Sequence, residues 1–350
     1  MDRSRHGAPV ICLAYPGIEE LVDPAEIRSM APNADVVVCP YSDTIELRTA
    51  KRLDPRGRVV RDLSPALRDD QRRAFARAEI VLALDVPLDL GDIAPELRWI
   101  QAVGSGVGQF ASAALEAHDI ELTSAAGVSA VPIAEFVIGR VLMVWKRFRE
   151  LEELQQRHDW TPTLGRTLSR ATMGIIGLGA IGTELAVRSK ALGMQVLATR
   201  RRVELGSTLG VDELYGPGGL VEVMRRSDVV TLCAPATSET ENMIDARSIG
   251  AMKSGSVLCN VARGNLVDED ALVAALQSGK LSAAIVDVAR QEPLPPDSAL
   301  WHAPNLYVSP HSAAAPDQYF GQLFALFLEN IRRYLAGEPL RNVVDLSRGY

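Results

Sequence analysis

Three polar side chains in the second half of the chain have the chemistry needed to bind a small organic acid and to transfer a proton. Arg263 follows the apolar run 256–261, where a guanidinium can bind a carboxylate and polarise a carbonyl. His311 follows the run 306–309, and histidine suits proton transfer near neutral pH. Glu292 is placed to accept the second ring N–H of His311 and favour the imidazolium. From position alone, a surface arginine and a structural histidine remain alternative interpretations.

A glycine-rich turn predicts a binding site for a dinucleotide. The sequence GLGAIG follows the apolar run 171–176 and precedes a helical pattern over 183–192. Glycine-rich turns occur in many loops, but the order strand, turn, helix is the one that a pyrophosphate requires. The first glycine allows a tight turn, the second a close approach to phosphate, and the third close helix packing. The predicted pyrophosphate-binding residues are Gly177, Gly179, Ala180, Ile181 and Gly182.

The end of the next strand, 195–198, indicates which dinucleotide is bound. An acidic residue there would bind the ribose 2′-hydroxyl of NAD, but this chain has Thr199, Arg200, Arg201 and Arg202. Guanidinium groups form bidentate, charge-assisted bonds to phosphate, which favours the 2′-phosphate of NADP. NADP is therefore the preferred cofactor, with NAD as the alternative. A solvated basic loop would explain the same arginines without any ligand.

The composition limits the classes of protein that this chain can represent. It has 350 residues, of which 47% are hydrophobic, so two domains with sizeable cores are feasible. The net charge of −7 argues against nucleic acid as a partner, and no apolar stretch is long enough to cross a membrane. Neither disulfide nor metal-ligand spacing is found among the cysteines, which predicts free thiols, no metal site and a cytoplasmic location. These cysteines are Cys12, Cys39, Cys233 and Cys259.

Strand-like and helical segments alternate along the whole chain, which predicts an α/β protein with parallel sheets. A long helix is expected over 132–156, and a further helix over 319–335 returns the chain to the first domain. We therefore predict two doubly wound parallel-sheet domains. One is a Rossmann-type dinucleotide-binding domain, 132–315, and the other is a discontinuous flavodoxin-like substrate domain, 1–131 with 316–350.

Several segments together resemble the D-isomer-specific 2-hydroxyacid dehydrogenase family. Their order and spacing are highly specific, and the resemblance extends from about residue 97 to residue 311. There are departures at Gly108, where members often carry an acidic residue, and at 126–127, where Ala-Gly replaces Pro-Gly. The matching segments are 227–240, 252–255, 260–269, 287–288, 292–294, 304–305 and 310–311.

The resemblance implies a role for each matching residue. Arg263 would bind the substrate carboxylate and carbonyl, Glu292 would pair with the histidine, and His311 would donate the proton. Asp287 would lie beside the nicotinamide carboxamide, and the backbone amides of a substrate loop would hold the carboxylate. That loop contains Gly104, Ser105 and Gly106. The adenosine-side and remaining cofactor residues would be Cys233, Ala234, Pro235, Thr240, Val261, Ala262, Ser312 and Ala313.

The resemblance also implies the reaction, namely reversible hydride transfer between a nicotinamide and a small 2-oxo acid to give the D-2-hydroxy acid. The arginines after Thr199 favour a glyoxylate/hydroxypyruvate reductase type. A short-form phosphoglycerate dehydrogenase is the enzymatic alternative, and a dinucleotide-sensing, corepressor-like protein is an alternative from another class. Family members usually form dimers, so a homodimer is expected.

Overall fold

The computed structural model describes residues 8–204 and 208–346, which form two compact units. The first unit contains residues 8–128 together with 316–346, and the second contains residues 129–315 apart from 205–207. None of the helices in the described ranges is long and apolar enough to span a membrane.

Twelve strands are present in the described residues, and they pair in parallel within two sheets. Most are short runs of apolar residues because the strands of a parallel sheet are buried on both faces. The strands are β1 Val10–Leu13, β2 Asp35–Val38, β3 Ile80–Ala83, β4 Trp99–Ala102, β5 Glu121–Thr123, β6 Thr172–Ile176, β7 Gln195–Thr199, β8 Glu213–Tyr215, β9 Val229–Leu232, β10 Ser256–Asn260, β11 Leu281–Val286 and β12 Leu306–Val308.

Thirteen α-helices accompany these strands in the same residues, along with short 3-10 turns such as Gly108–Ala113. The helices are α1 Ile18–Leu21, α2 Pro24–Met30, α3 Ile45–Leu53, α4 Arg58–Leu63, α5 Asp69–Arg77, α6 Leu90–Ile93, α7 Ala130–Trp145, α8 Phe148–Gln156, α9 Ala180–Ala191, α10 Leu220–Arg226, α11 Ala246–Ala251, α12 Glu269–Gln277 and α13 Pro316–Leu335.

The first unit is a five-stranded sheet in the order β2-β1-β3-β4-β5, which is the flavodoxin-like order. Alternate side chains of each strand enter hydrophobic clusters on opposite faces. Phe75 and Phe110 belong to one cluster, whereas Trp99 packs against Phe327 of α13 in the other, with ring centroids 5.4 Å apart. The chain returns at α13, so this unit is discontinuous.

The second unit is a seven-stranded sheet in the order β12-β11-β10-β9-β6-β7-β8. Counted from β6, this is the 3-2-1-4-5-6 order of dinucleotide-binding folds with one further strand at the edge. Hydrophobic clusters cover both faces of the sheet. The predicted fold class, two doubly wound α/β units with parallel sheets, is confirmed.

Two local predictions differ from the structure. The single helix expected over 132–156 is wrong, because α7 ends at Trp145 and α8 begins at Phe148. Arg147 between them has a φ of 57°, a left-handed conformation that interrupts a right-handed helix. The strand β8 was not predicted. It is a three-residue edge strand whose residues are only partly buried, so its sequence has no apolar run.

Candidate active site

The glycine turn joins β6 to α9 in a shape that fits a dinucleotide. Gly177 has a φ of +102°, and a Cβ there would lie 2.6 Å from the backbone nitrogen of Ala234. A Cβ on Gly182 would lie 2.5 Å from the carbonyl oxygen of Gly177, whereas one on Gly179 would meet no atom within 4 Å. Gly179 caps α9 without any side-chain hydrogen bond. The turn therefore presents open space and helix N–H groups, which suit a pyrophosphate.

Thr199 and Arg200, at the end of β7, hold this turn in place. The Leu178 N–H donates to the Thr199 carbonyl at 2.8 Å, and the Gly177 N–H lies 3.3 Å from the Thr199 hydroxyl oxygen. Arg200 Nε donates to the Leu178 carbonyl at 2.8 Å, so its guanidinium lies against the turn. Arg201 and Arg202 are exposed. The predicted 2′-phosphate residues thus lie beside the predicted pyrophosphate residues.

The segment after β9 closes the other side of the turn. Ala234 is the residue that a side chain at Gly177 would strike, so the segment 233–235 packs directly against the turn. Thr240 donates from its hydroxyl to the Pro235 carbonyl at 2.8 Å and accepts from the Thr237 N–H at 2.8 Å. The Thr240 side chain therefore shapes this loop.

Arg263 extends from a turn at the end of β10, and Asn260 fixes that turn. The Asn260 amide donates to the Arg263 carbonyl at 2.9 Å and accepts from the Ala262 N–H at 3.1 Å. Gly264 must be a glycine, because a Cβ there would lie 1.9 Å from the carbonyl carbon of Ala289. Val261 and Ala262 are buried, which leaves mainly their backbone to meet a ligand. The role of Asn260 in fixing this turn was not predicted, although a buried amide side chain at the end of a strand is a recognisable signal.

His311 and Glu292 form the pair expected from the sequence. Nδ1 of His311 lies 2.9 Å from Oε2 of Glu292. Because an ionised carboxylate only accepts hydrogen bonds, Nδ1 carries the proton and Nε2 remains available for a substrate. Burial alone would raise the pKa of Glu292, but the hydrogen bond and charge of His311, the Ala289 N–H and the charge of Arg263 hold it below its ordinary value. The charges of His311 and Arg263 therefore both act on Glu292.

Asp287 lies at the end of β11 and is 4% exposed. Its carboxylate accepts hydrogen bonds from the Ser309 hydroxyl at 2.6 Å, the Ser312 N–H at 2.8 Å and the Ala313 N–H at 3.0 Å. Arg263, Asp287 and His311 follow β10, β11 and β12 respectively, which are neighbours in the sheet. The carboxyl ends of parallel strands meet at one edge of a sheet, where ligands collect in open α/β folds.

The predicted substrate loop follows β4 in the other unit. The Gly104 carbonyl accepts from the Ala125 N–H at 3.0 Å, and the exposed Ser105 donates from its hydroxyl to the Ala125 carbonyl at 3.1 Å. The Tyr319 hydroxyl donates to the Val103 carbonyl just before the loop. These bonds fix a short glycine loop, Gly104 to Gly106, at the carboxyl edge of the five-stranded sheet.

A polar network that was not predicted from the sequence lies at the carboxyl edge of the five-stranded sheet. Lys51 is fully buried and lies 2.7 Å from the Asp43 carboxylate, which also accepts from the Tyr41 hydroxyl at 3.0 Å. Arg48 binds the buried Asp85 carboxylate through two nitrogens at 2.7 and 2.6 Å. Asp85 comes shortly after the apolar strand β3, and a charged residue in that position was the available signal.

Comparisons with known proteins agree with this arrangement. A family model described as D-isomer specific 2-hydroxyacid dehydrogenase, NAD binding domain, matches residues 138–313. Glyoxylate/hydroxypyruvate reductase B of Citrobacter koseri is 33% identical over 294 residues, which cover 82% of this chain and 90% of that protein. Glycerate dehydrogenase of Methylorubrum extorquens is 32% identical over 283 residues, which cover 77% of this chain and 86% of that protein.

A solved structure shows the same likeness over nearly the whole chain. The D-isomer specific 2-hydroxyacid dehydrogenase of Xanthobacter autotrophicus, solved in complex with NADPH and MES, has a TM-score of 0.78 and 26% identity. The match covers 98% of this chain and 100% of that one. This chain belongs to the D-isomer specific 2-hydroxyacid dehydrogenase family and is an NAD(P)-dependent oxidoreductase acting on the CH–OH group of its donors.

Proposed function

We propose that this enzyme reduces a small 2-oxo acid of the glyoxylate or hydroxypyruvate type to the D-2-hydroxy acid, with NADPH as the preferred reductant. The observation that carries the proposal is the group formed by Arg263, Glu292 and His311 at one sheet edge. The name of the Citrobacter koseri relative supports the substrate class. The unit formed by residues 129–315 is proposed as the cofactor-binding domain and the discontinuous unit as the substrate domain.

Each side chain of the group has one task in this proposal. Bound NADPH supplies the hydride. Arg263 binds the substrate carboxylate and polarises the carbonyl that receives the hydride. His311 gives a proton from Nε2 to the carbonyl oxygen, while Glu292 fixes the ring through Nδ1 and stabilises its charged form. The Gly104 to Gly106 amides are proposed to hold a carboxylate oxygen.

The substrate class is tested by assaying purified protein with a panel of 2-oxo acids and both reduced cofactors. Glyoxylate and hydroxypyruvate should give the highest kcat/KM. Phosphohydroxypyruvate belongs in the same panel because it would be the best substrate of a phosphoglycerate dehydrogenase. No turnover with any 2-oxo acid by wild-type protein, or near wild-type turnover by His311→Ala, would refute the proposal.

The NADPH preference is supported by the guanidinium of Arg200 at the glycine turn, the exposed Arg201 next to it and the NADPH bound in the Xanthobacter autotrophicus relative. Arg201→Ala should raise the KM for NADPH by about tenfold or more, because hydrogen bonds to charged groups contribute roughly 1.5–3 kcal/mol. The KM for NADH should hardly change. Arg225→Ala, which alters a surface ion pair with Glu222, is the matched control. A wild-type preference for NADH would contradict this assignment.

A homodimer and a cytoplasmic location complete the proposal. The segment that begins with α8 exposes large apolar side chains, including Trp160 at 98% and Leu164 at 87%, which suits a surface covered by a second copy. Light scattering of the wild-type protein and of Trp160→Glu should show a dimer and a weakened dimer respectively. The cytoplasmic location rests on the unpaired cysteines.

A further inference from the structure

The carboxylate of Asp287 is occupied by the turn that carries His311. Its two oxygens accept three hydrogen bonds, from the Ser309 hydroxyl and from the Ser312 and Ala313 N–H groups. The carbonyl of Asp287 accepts a fourth bond, from the His311 N–H at 2.8 Å. A carboxylate has about four acceptor positions, so most of its capacity is used within the chain.

The backbone conformation of this turn must be stabilised by contacts with other residues. His311 has a φ of 55°, in the left-handed region that residues with a side chain rarely adopt. Such conformations persist where surrounding contacts hold them, and they cluster at functional sites. The Ser312 and Ala313 N–H groups, which follow the strained residue directly, both point at Asp287. The bonds therefore fix the direction in which the His311 side chain leaves the turn.

We propose that Asp287 is a positioning residue for His311, in addition to any contact with the cofactor. Its carboxylate holds the 309–313 turn in the conformation that places Nδ1 of His311 against Glu292. This inference rests on the proposed function for its catalytic consequence, since it assigns His311 as proton donor. The geometric part concerns the protein alone and can be observed without substrate or cofactor.

The test is Asp287→Asn, which preserves size but replaces one acceptor oxygen with an N–H donor. That donor would face backbone N–H groups of Ser312 or Ala313, so the turn should relax. The proton resonance of the His311 Nδ1–H, identified by its loss in His311→Gln, should shift or broaden in cofactor-free Asp287→Asn. The kcat should fall about 100-fold, because small displacements of a catalytic group cost that much. The KM for the 2-oxo acid should stay within about threefold, and the Kd for NADPH measures separately any contact of Asp287 with the cofactor.

Two further variants separate positioning from general damage. Asp228→Asn changes a carboxylate that also accepts a backbone N–H, from Thr172, but near the amino end of β9. It should leave the His311 resonance and kcat unchanged even if it lowers the melting temperature. Ser309→Ala removes a single donor to Asp287 and should change the resonance and kcat in the same direction as Asp287→Asn, by less. It keeps the proposal testable if Asp287→Asn does not fold.

An unchanged His311 resonance in both Asp287→Asn and Ser309→Ala would overturn the proposal. A raised Kd for NADPH in the same Asp287→Asn protein would then leave Asp287 as a cofactor contact only. The resonance is recorded without turnover. If the wild-type enzyme reduced no 2-oxo acid, the proposed function would fail while the positioning of His311 by Asp287 was still measured.

Discussion

The charge on Glu292 orients the His311 ring, so the protonation of this carboxyl group affects both the fold and the site. The pKa of Glu292 is lower in the folded protein than its ordinary value of 4.5, because its partners outweigh the effect of burial. A carboxyl group of this kind stabilises the folded state above its unfolded pKa. The stabilisation is lost as the pH falls through the lowered folded pKa.

We therefore expect a pH-dependent difference between wild type and Glu292→Gln. The wild type should have the larger free energy of unfolding at neutral pH, and the difference should shrink as the pH falls below about 4.5 and through the lowered pKa of Glu292 in the folded protein. Urea denaturation at several pH values measures it. Glu241→Gln, which alters an ion pair with Arg290 away from His311, serves as the control. A difference that does not shrink as the protein is acidified through its whole folded range would contradict the ionised pair.

At this scale the sequence predicted the contact between Glu292 and His311 but not the residues that hold the turns of the site. Arg263, Glu292 and His311 were chosen because each follows or lies near a predicted strand end, and the structure places them within electrostatic reach. The residues that hold the turns of these side chains were not predicted. Asn260 binds backbone groups two and three residues further along its own turn, whereas Asp287 binds backbone N–H groups 25 and 26 residues away. Both sets of contacts depend on how the turns fold.

At the scale of elements, the β6–α9 turn contains glycines with different tasks. Gly179→Ala should fold with nearly wild-type stability, because the new methyl group enters open space, but it should lose NADPH affinity. Gly177→Ala should lose stability first, because its Cβ would lie 2.6 Å from the backbone nitrogen of Ala234 and its φ is +102°. Melting temperature and NADPH titration of both variants test this. Equal loss of stability in both would show that no open space exists at Gly179.

The buried pair between Lys51 of α3 and Asp43 makes a second prediction about an element. Lys51→Met should destabilise the protein by about 3–5 kcal/mol, because it leaves an unpaired buried carboxylate. Adding Asp43→Asn to Lys51→Met should recover part of this loss. Urea denaturation of the single and double variants gives the coupling. Equal destabilisation by the single and the double variant would show that the pairing of Lys51 with Asp43 does not contribute to stability.

Strands and helices were predictable where the residues within the element determine its structure. The strands before the glycine turn and before Arg263 are apolar runs and were found at nearly the expected residues. The break between α7 and α8 was not predictable from helical periodicity. It coincides with a long-range contact, since the Arg166 N–H donates to the Trp145 carbonyl at 2.7 Å at the end of α7.

At the scale of the molecule, α13 belongs to the unit from which it is separated by the whole of 129–315. Phe324, Phe327 and Ile331 are buried against the five-stranded sheet. A chain that stops at Ala315 should lose the folded first unit, because each buried aromatic contributes about 3–5 kcal/mol. The second unit has its own core and should still bind NADPH. Calorimetry and NADPH titration of the shortened chain measure both effects. Loss of NADPH binding together with the first unit would contradict two independent cores.

The parallel α/β architecture and the glycine turn follow from local residue types and short-range spacing, and the same kind of pattern predicts Arg263, Glu292 and His311 as site residues. The folded structure is needed to see that Asp287 binds the His311 turn, that Asn260 fixes the Arg263 turn and that Lys51 is buried against Asp43. The Asp287 and Lys51 contacts join residues that lie apart in the sequence and depend on packing, whereas the Asn260 contacts lie within one turn and depend on its hydrogen-bond geometry.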